Sequence, residues 1–548
     1  MPTLNWIGKE AVVNHHHEVP FHLLKDVPEL ACGAPGSGNL IVQGDNLVAL
    51  KALLPYYAGQ VKCIYIDPPY NTGNEGWIYN DNVNSPLIRD WLTKTVGSEG
   101  EDLTRHDKWL CMMYPRLSLL RSFLSQEGVI FVSMDDNEIT SLRILMDEIF
   151  GKECFVEQLI ISRSENGMGS NEGFASNHEY MLAYKKCTES SGVFCGLSPS
   201  PDFLASFDKE DEFGKFKVDG LLRKKGAGAR REESPNCFYP LYYNPKTGKV
   251  RLEPADGFEA TLPKLPTGGD GRWTWSKDFA VGKEYRLHAG AKGTIYIKDY
   301  FTGLRREKPK SILRSPSYLT DKATNEIRSI FGDKVFTTPK PVGLIADLLD
   351  NLTDKNCLVL DSFAGSGTTG QAVLEQNMKD GGKRRFILVE IEPKIAREIT
   401  GERVRRVAQG YTNAKGEKVD GLDGGFRFCE LGEPLFNDHG QIRENVRFAD
   451  LARHVYFSET GEPLPRERVP NSPKIGEHNG TAIYLLFNGI LGDKSANGGN
   501  VLTRAVLAKL PLFAGPKVIF GAGCLLGADR LRAERVTFRQ TPYEIKVR

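Results

Sequence analysis

With 548 residues the chain is too long for one ordinary domain, and its 71 basic and 70 acidic side chains leave a formal charge of only +1. A nucleic-acid partner would therefore have to be met by local basic patches, not by a global field. Ten cysteines without a C-x-x-C pair, no run of membrane-spanning length and no basic-then-apolar start argue against a disulfide scaffold, a zinc site and a membrane or exported protein.

Residues 1–38 are polar and irregular and read as an N-terminal extension. Within it, His15-His16-His17 is read as surface, since three adjacent side chains cannot easily converge on one ion, and no metal is expected. Asn39-Leu-Ile-Val-Gln43 then predicts a strand, and Leu47, Leu50 and Leu54 fall at helical spacing. Val61 to Ile66 predicts a buried strand ending at Asp67-Pro68-Pro69-Tyr70. Residues 71–106 are Gly-, Asn- and charge-rich, a length of loop that is usually functional. A helix over 107–124 is expected to break at Pro115, and a strand over 128–133 leads to a helix carrying Leu142, Leu145 and Met146. Further strands are expected at 155–162 and 179–184. Strand and helix alternate as in a doubly wound α/β sheet.

From about 187 to 310 this alternation stops. Basic clusters (Arg223-Lys224-Lys225, Arg230-Arg231, Arg305-Arg306, Lys308) lie near Phe238-Tyr239, Tyr242-Tyr243, Trp273 and Trp275. Such cations can grip phosphates while aromatic and polar groups read or wedge base steps, so the insertion is expected to contact DNA. The α/β pattern resumes with a helix after Pro339-Lys340-Pro341, a strand at 357–361, a Gly-rich turn, a helix over 368–377 and a strand over 385–390. A basic helix with Arg397, Arg403, Arg405 and Arg406 closes it. The expected division is therefore 1–38, 39–187, 188–310, 311–411 and a separate mixed α+β module over 425–548 with strands near 481–487 and 517–520.

Two strand ends carry the chemistry. Asp67 places a carboxylate at the carboxyl edge of its strand, where parallel α/β sheets bind ligands. The rigid Pro68 carbonyl would be a second acceptor, and the Pro68-Pro69 pair stiffens the turn that presents Tyr70. An exocyclic base amine is a poor nucleophile because its lone pair is delocalised; two acceptors around its hydrogens favour the pyramidal nitrogen of a methyl-transfer transition state. The Tyr70 ring can stack on a base that has left its helix. The second end is Asp361-Ser-Phe363-Ala-Gly365-Ser-Gly367-Thr368, glycine-rich backbone opening a helix, with Glu390 ending the next strand, where a carboxylate can hold ribose hydroxyls. Gly365, Gly367 and Gly370 also fit G-x-G-x-x-G, the dinucleotide pattern of a dehydrogenase. A hydride-transfer enzyme has no use for the acidic, proline-locked turn, however, and S-adenosylmethionine suits both halves.

Asp67-Pro-Pro-Tyr70 together with Phe363-Ala-Gly-Ser-Gly367 resembles the DNA amino-methyltransferases that act on adenine N6 or cytosine N4. The catalytic motif precedes the glycine motif, a circular permutation similar to the beta class. Tyr65 to Gly73 and the C-terminal extension are most similar to modification subunits of type III restriction–modification systems. The resemblance implies a Rossmann-like seven-stranded methyltransferase sheet with one antiparallel strand, and an insertion acting as target-recognition domain. It implies a cofactor pocket from Asp361, Phe363, Ala364, Gly365, Ser366, Gly367, Thr368 and Glu390, with Asp45 facing the cofactor's adenine and the Lys340-Pro341 turn covering its methionine end. It also implies a prokaryotic, cytoplasmic, nucleoid-associated enzyme acting on duplex DNA as a homodimer, joined by a separate helicase–nuclease subunit. Adenine N6 is the expected target. Cytosine N4, an RNA or protein amide, and a non-catalytic DNA-binding subunit on the same fold are the competing readings.

Overall fold

The structure, a computed structural model, describes residues 3–33, 37–72, 105–165, 173–189, 192–303, 305–352, 354–437, 439–464, 469, 471–487, 490 and 499–541. Gly73 and most of the loop expected beside the Asp67 turn lie outside these. The chain divides into two compact units, one of residues 1–195 and 309–548 and one of Gly196–Lys308.

The larger unit is built on a ten-stranded sheet. In chain order its elements are β1 (His22–Asp26), β2 (Leu40–Gln43), α1 (Asn46–Tyr57), β3 (Val61–Ile66), α2 (Arg105–Phe123), β4 (Leu124–Met134), α3 (Ile139–Phe150), β5 (Phe155–Ser162) and β6 (His178–Lys185). After the insertion come β7 (Ile312–Leu313), α4 (Thr320–Phe331), α5 (Val342–Asp350), β8 (Leu358–Asp361), α6 (Thr368–Asp380), β9 (Arg385–Glu390), α7 (Glu402–Gln409) and β10 (Arg427–Pro434). The strand order is β1-β10-β2-β9-β8-β3-β4-β6-β5-β7. Its middle seven, β2 to β5 in that order, form the expected sheet, parallel except for β6, which runs antiparallel to both β4 and β5.

The alternating side chains of β3 show why this sheet is covered on both faces. Val61, Ile64 and Ile66 join one apolar cluster with Leu50, Leu120 and Leu145, while Cys63 and Tyr65 join another with Leu344, Val373 and Leu388. A strand buried on both faces reads as a continuous apolar run, which is how it was legible.

Three expectations change. The N-terminal extension is ordered, with short helices at Lys9–Val13 and His15–Glu18 and a strand, β1, that pairs antiparallel with β10. The C-terminal region is not a separate module. Its first strand, β10, pairs with β2, and its helix Phe448–Thr460 shares the core of the larger unit through Leu451, Val455 and Tyr456. A four-stranded sheet follows, of Lys474–His478, Thr481–Leu485, Lys517–Gly521 and Val536–Gln540. Finally, α2 continues through Pro115, which is itself buried along with most of this helix, so burial holds the helix across the missing N–H.

The smaller unit has its own core and two antiparallel sheets, one with Gly214–Leu221 and Ile295–Tyr300 at its centre and one with Leu241–Tyr243. Its two ends meet in an isolated antiparallel bridge: Leu197 and Glu307 exchange both backbone hydrogen bonds, at 2.7 and 2.9 Å.

Candidate active site

Strand order reverses between β3 and β8. From β3 the chain passes through α2 to β4 on one side; from β8 it passes through α6 to β9 on the other. In such sheets the crevice at the reversal is the ligand site. Because β3 and β8 are adjacent and parallel, with Leu360 opposite Ile64, the Asp67 turn and the glycine loop leave the same rim side by side. Asp67, Phe363, Gly365, Ser366 and Thr368 line one cleft there.

The Asp67 turn is pinned on both flanks. Pro68 and Pro69 are buried, and the Trp109 indole donates to the Pro69 carbonyl at 2.7 Å. Asn71 is fully buried in a left-handed conformation (φ 59°), its amide donating to Glu138 at 2.6 Å and to the Arg105 carbonyl at 3.2 Å. Such a backbone state is rare outside glycine and persists where the surroundings fix it.

The glycine loop is braced from within. Asp361 accepts the Phe363 amide at 3.0 Å and the Thr369 hydroxyl at 2.6 Å. Burial pushes Asp361 up to about 7, against the pull of those two donors. Gly365 and Gly367 both have positive φ, and a side chain at Gly367 would place Cβ 3.1 Å from the Thr400 carbonyl oxygen. Glu390 accepts the Gly365 amide with one oxygen and the Glu392 amide with the other, each at 2.9 Å, and burial pushes it up to about 8 despite them. Glu390 thus anchors the loop, with lone pairs left over for a further donor. Ala364, Ser366 and Thr368 are buried in this loop, whose end is the N-terminus of the 13-residue α6.

Asp45 sits at the same rim as the N-cap of α1, accepting the Leu47 and Val48 amides at 2.9 and 3.1 Å and pairing with buried Arg116 at 3.0 Å. Its neighbour Asn46 donates to the Ser362 carbonyl at 3.0 Å, tying that turn to the glycine loop.

Lys340 stands between the two turns. Its ammonium turns toward the Asp67 motif, 3.2 Å from the Asp67 carboxylate, 2.6 Å from the Tyr70 hydroxyl, and 2.9 and 3.0 Å from the two oxygens of Glu179. Its backbone carbonyl accepts from Thr368 at 3.1 Å, so the turn ending in buried Pro341 still borders the glycine loop. Tyr70 also donates to Glu179 at 3.2 Å. Burial raises Asp67 above the usual carboxylate range; Lys340 opposes that shift and Glu179 adds to it. Burial alone would lower Lys340, but the Asp67 and Glu179 carboxylates outweigh it and leave its affinity for the proton raised.

Sequence reasoning missed two of these groups. Glu179 opens the apolar strand β6 and looks like a solvated strand end. Only the antiparallel direction of β6 brings its first residues to the rim where Asp67 stands. Arg403, counted as one of a basic series, is fully buried beneath the loop and donates to Ser366 and Thr368, each at 2.9 Å, and to Gln371 at 2.7 Å.

In the smaller unit the basic and aromatic groups part company. Tyr239, Tyr243 and Trp273 belong to its core, so they are not surface wedges. Lys225, Arg230, Arg231 and Lys308 are exposed, and Arg223, Lys224, Arg305 and Arg306 are partly buried. Arg231 pairs with Asp270 at 3.3 Å, Arg305 pairs with Asp299, and Arg306 donates to the Gly196 carbonyl at 2.8 Å. Lys224 and Arg230 are brought together by backbone pairing of their segment with residues 271–273.

An acidic, aromatic strand end beside a glycine loop, at the switch point of a sheet with one reversed strand, defines a group-transfer enzyme that brings an amine to a bound donor. The chain belongs to the DNA methylase family, which it matches over residues 61–401. It is 36% identical over 430 residues to the type II methyltransferase M.KpnI of Klebsiella pneumoniae, covering 76% of this chain and 98% of that one. It is 35% identical over 458 residues to the EcoPI Mod subunit, a type III restriction–modification enzyme of Escherichia phage P1, covering 75% and 68%. With the StyLTI Mod subunit of Salmonella typhimurium it shares 32% over 453 residues, covering 78% and 64%. No helix among the described residues is long and apolar enough to cross a membrane.

Proposed function

We propose that the chain methylates the exocyclic N6 amine of an adenine swung out of duplex DNA, with S-adenosylmethionine as donor, as the modification subunit of a type III system in the bacterial cytoplasm. The observation that carries this is the adjacency of β3 and β8, which sets Asp67 and the glycine loop on one cleft. Had the two turns left opposite rims, no methyl could pass between them.

The residues suit the donor. Left-handed Gly365 and Gly367 keep side chains out of the cradle, the α6 N-terminus offers backbone donors, and Glu390 can accept ribose hydroxyls. S-adenosylmethionine, when bound, supplies an electrophilic methyl on a sulfonium. Asp67 and the Pro68 carbonyl hold the hydrogens of the incoming amine and favour its pyramidal form, while the Tyr70 ring stacks on the base. Asp67 is the carboxylate offered to the proton the amine sheds.

The naming of two relatives as Mod subunits of type III restriction–modification enzymes supports a separate restriction subunit as partner, and the exposed cations of Gly196–Lys308 support a DNA contact by that unit; a homodimer is part of the proposal. A second reading, an enzyme working without a restriction partner, is favoured by the likeness to M.KpnI along 98% of that relative. Single-molecule sequencing of DNA from cells expressing the chain, with mass spectrometry of its nucleosides, tests the proposal. N6-methyladenine at one sequence context supports it; N4-methylcytosine, or no modified base, refutes it. Light scattering and co-purification with a candidate restriction subunit decide between the two assemblies.

A further inference from the structure

Two carboxylates, Asp67 and Glu179, are buried around a single ammonium, that of Lys340. Carboxyl groups this close cannot both remain ionised out of water unless a cation stands between them. Lys340 reaches Asp67 from 270 positions beyond Tyr70, through a turn outside the sheet, and Glu179 grips it with both oxygens. Among the described residues the groups facing Asp67 are Lys340, Glu179 from β6, Tyr70 in its own turn, Tyr65 in β3 and Asp361 from β8, and of these Lys340 is the one cation.

We propose that Lys340 and Glu179 are positioning residues for methyl transfer: Lys340 keeps Asp67 a carboxylate, able to accept the hydrogen of the target amine, and Glu179 holds that ammonium and the Tyr70 hydroxyl in place. The inference rests on the functional reading above and adds two groups to it, neither of which has to touch the base. A salt-bridge staple joining the 339–341 turn to β6 would need the same contacts but would leave the ionisation of Asp67 unused.

The test is the single-turnover rate of transfer against pH, with enzyme saturated by S-adenosylmethionine and a duplex oligonucleotide carrying the context found by sequencing. Lys340→Met is expected to move the acidic limb of the profile upward by roughly one pH unit or more, since a cation within contact distance is removed. Glu179→Gln is expected to move it downward, because a like charge leaves while the amide oxygen still accepts from Lys340 and keeps it beside Asp67. Lys340→Arg, which keeps the charge, should restore the limb to its wild-type position even where the rate is lower. The last two variants carry the test if Lys340→Met does not fold. An unmoved limb in Lys340→Met, or an upward shift in Glu179→Gln, overturns the inference while wild-type transfer stands. A wild-type enzyme that transfers no methyl overturns the functional reading and the inference with it.

Discussion

Tyr70 does two things that one pair of substitutions separates. Its ring packs against the sheet core, with the Lys340 ammonium 4.8 Å from the ring centroid, and its hydroxyl accepts from Lys340 at 2.6 Å and donates to Glu179 at 3.2 Å. Tyr70→Phe deletes these hydrogen bonds together with the one to Asp67, and bonds to charged groups are worth about 1.5–3 kcal/mol each. Lys340 and Glu179 stay bonded to each other at 2.9 and 3.0 Å, however, so neither charge is stranded. The expected net loss is about 1 kcal/mol, or roughly fivefold in transfer rate. Tyr70→Ala also removes the stacking surface, about 1–3 kcal/mol per base, so roughly 30- to 1000-fold in all. The assay is single-turnover transfer to an unmethylated duplex, paired with fluorescence of 2-aminopurine at the target position to follow extrusion. If Phe and Ala were equally damaging, the hydroxyl and not the ring would carry the function, and the stacking role would be wrong.

Asp67→Ala is expected to abolish transfer while leaving donor affinity, measured by isothermal calorimetry, within about threefold of wild type; a parallel loss of donor binding would reassign Asp67 to the cofactor side. Asp361 and Glu390 keep their protons to about 7 and about 8 in the folded chain, whereas unfolded carboxyls ionise near 4, so stability present at low pH is lost as pH rises through those values. The melting temperature of the unliganded protein should therefore fall between about pH 5 and about pH 8.5, and Glu390→Gln should flatten the upper part of that slope; an unchanged slope would remove Glu390 as its source. Arg403→Met strips three hydrogen-bonded partners of a buried cation and is expected to cost about 3 kcal/mol in urea unfolding and to weaken donor binding. Retention of both would show the loop to be self-supporting.

Much of the fold was legible because buried parallel strands are continuous apolar runs: β2, β3, β8 and β9 each stand out between polar or glycine-rich breaks. Asp67 and the glycine loop were legible because chemistry restricts which residues can sit at strand ends. What stayed hidden depends on where the chain returns in space. Glu179 gained its place from strand direction, which no local pattern encodes. Strand β10 was placed in a separate C-terminal module, because no local pattern encodes its pairing with β2 and β1. Tyr239, Tyr243 and Trp273 were assigned to a surface because they lie near cations, yet a unit of this size must bury its largest apolar groups to have a core at all. Pro115 marked a helix break by local rules that tertiary packing overrode.

The paired backbone at Leu197 and Glu307 has an evolutionary corollary. A segment whose two ends meet in one backbone bridge can be swapped for another, lengthened or excised by crossovers at two points close in space, without rethreading anything else. Where that segment reads DNA as proposed above, a lineage carrying such a chain could acquire a new sequence preference by recombination inside the gene, keeping its chemical machinery untouched while its targets change.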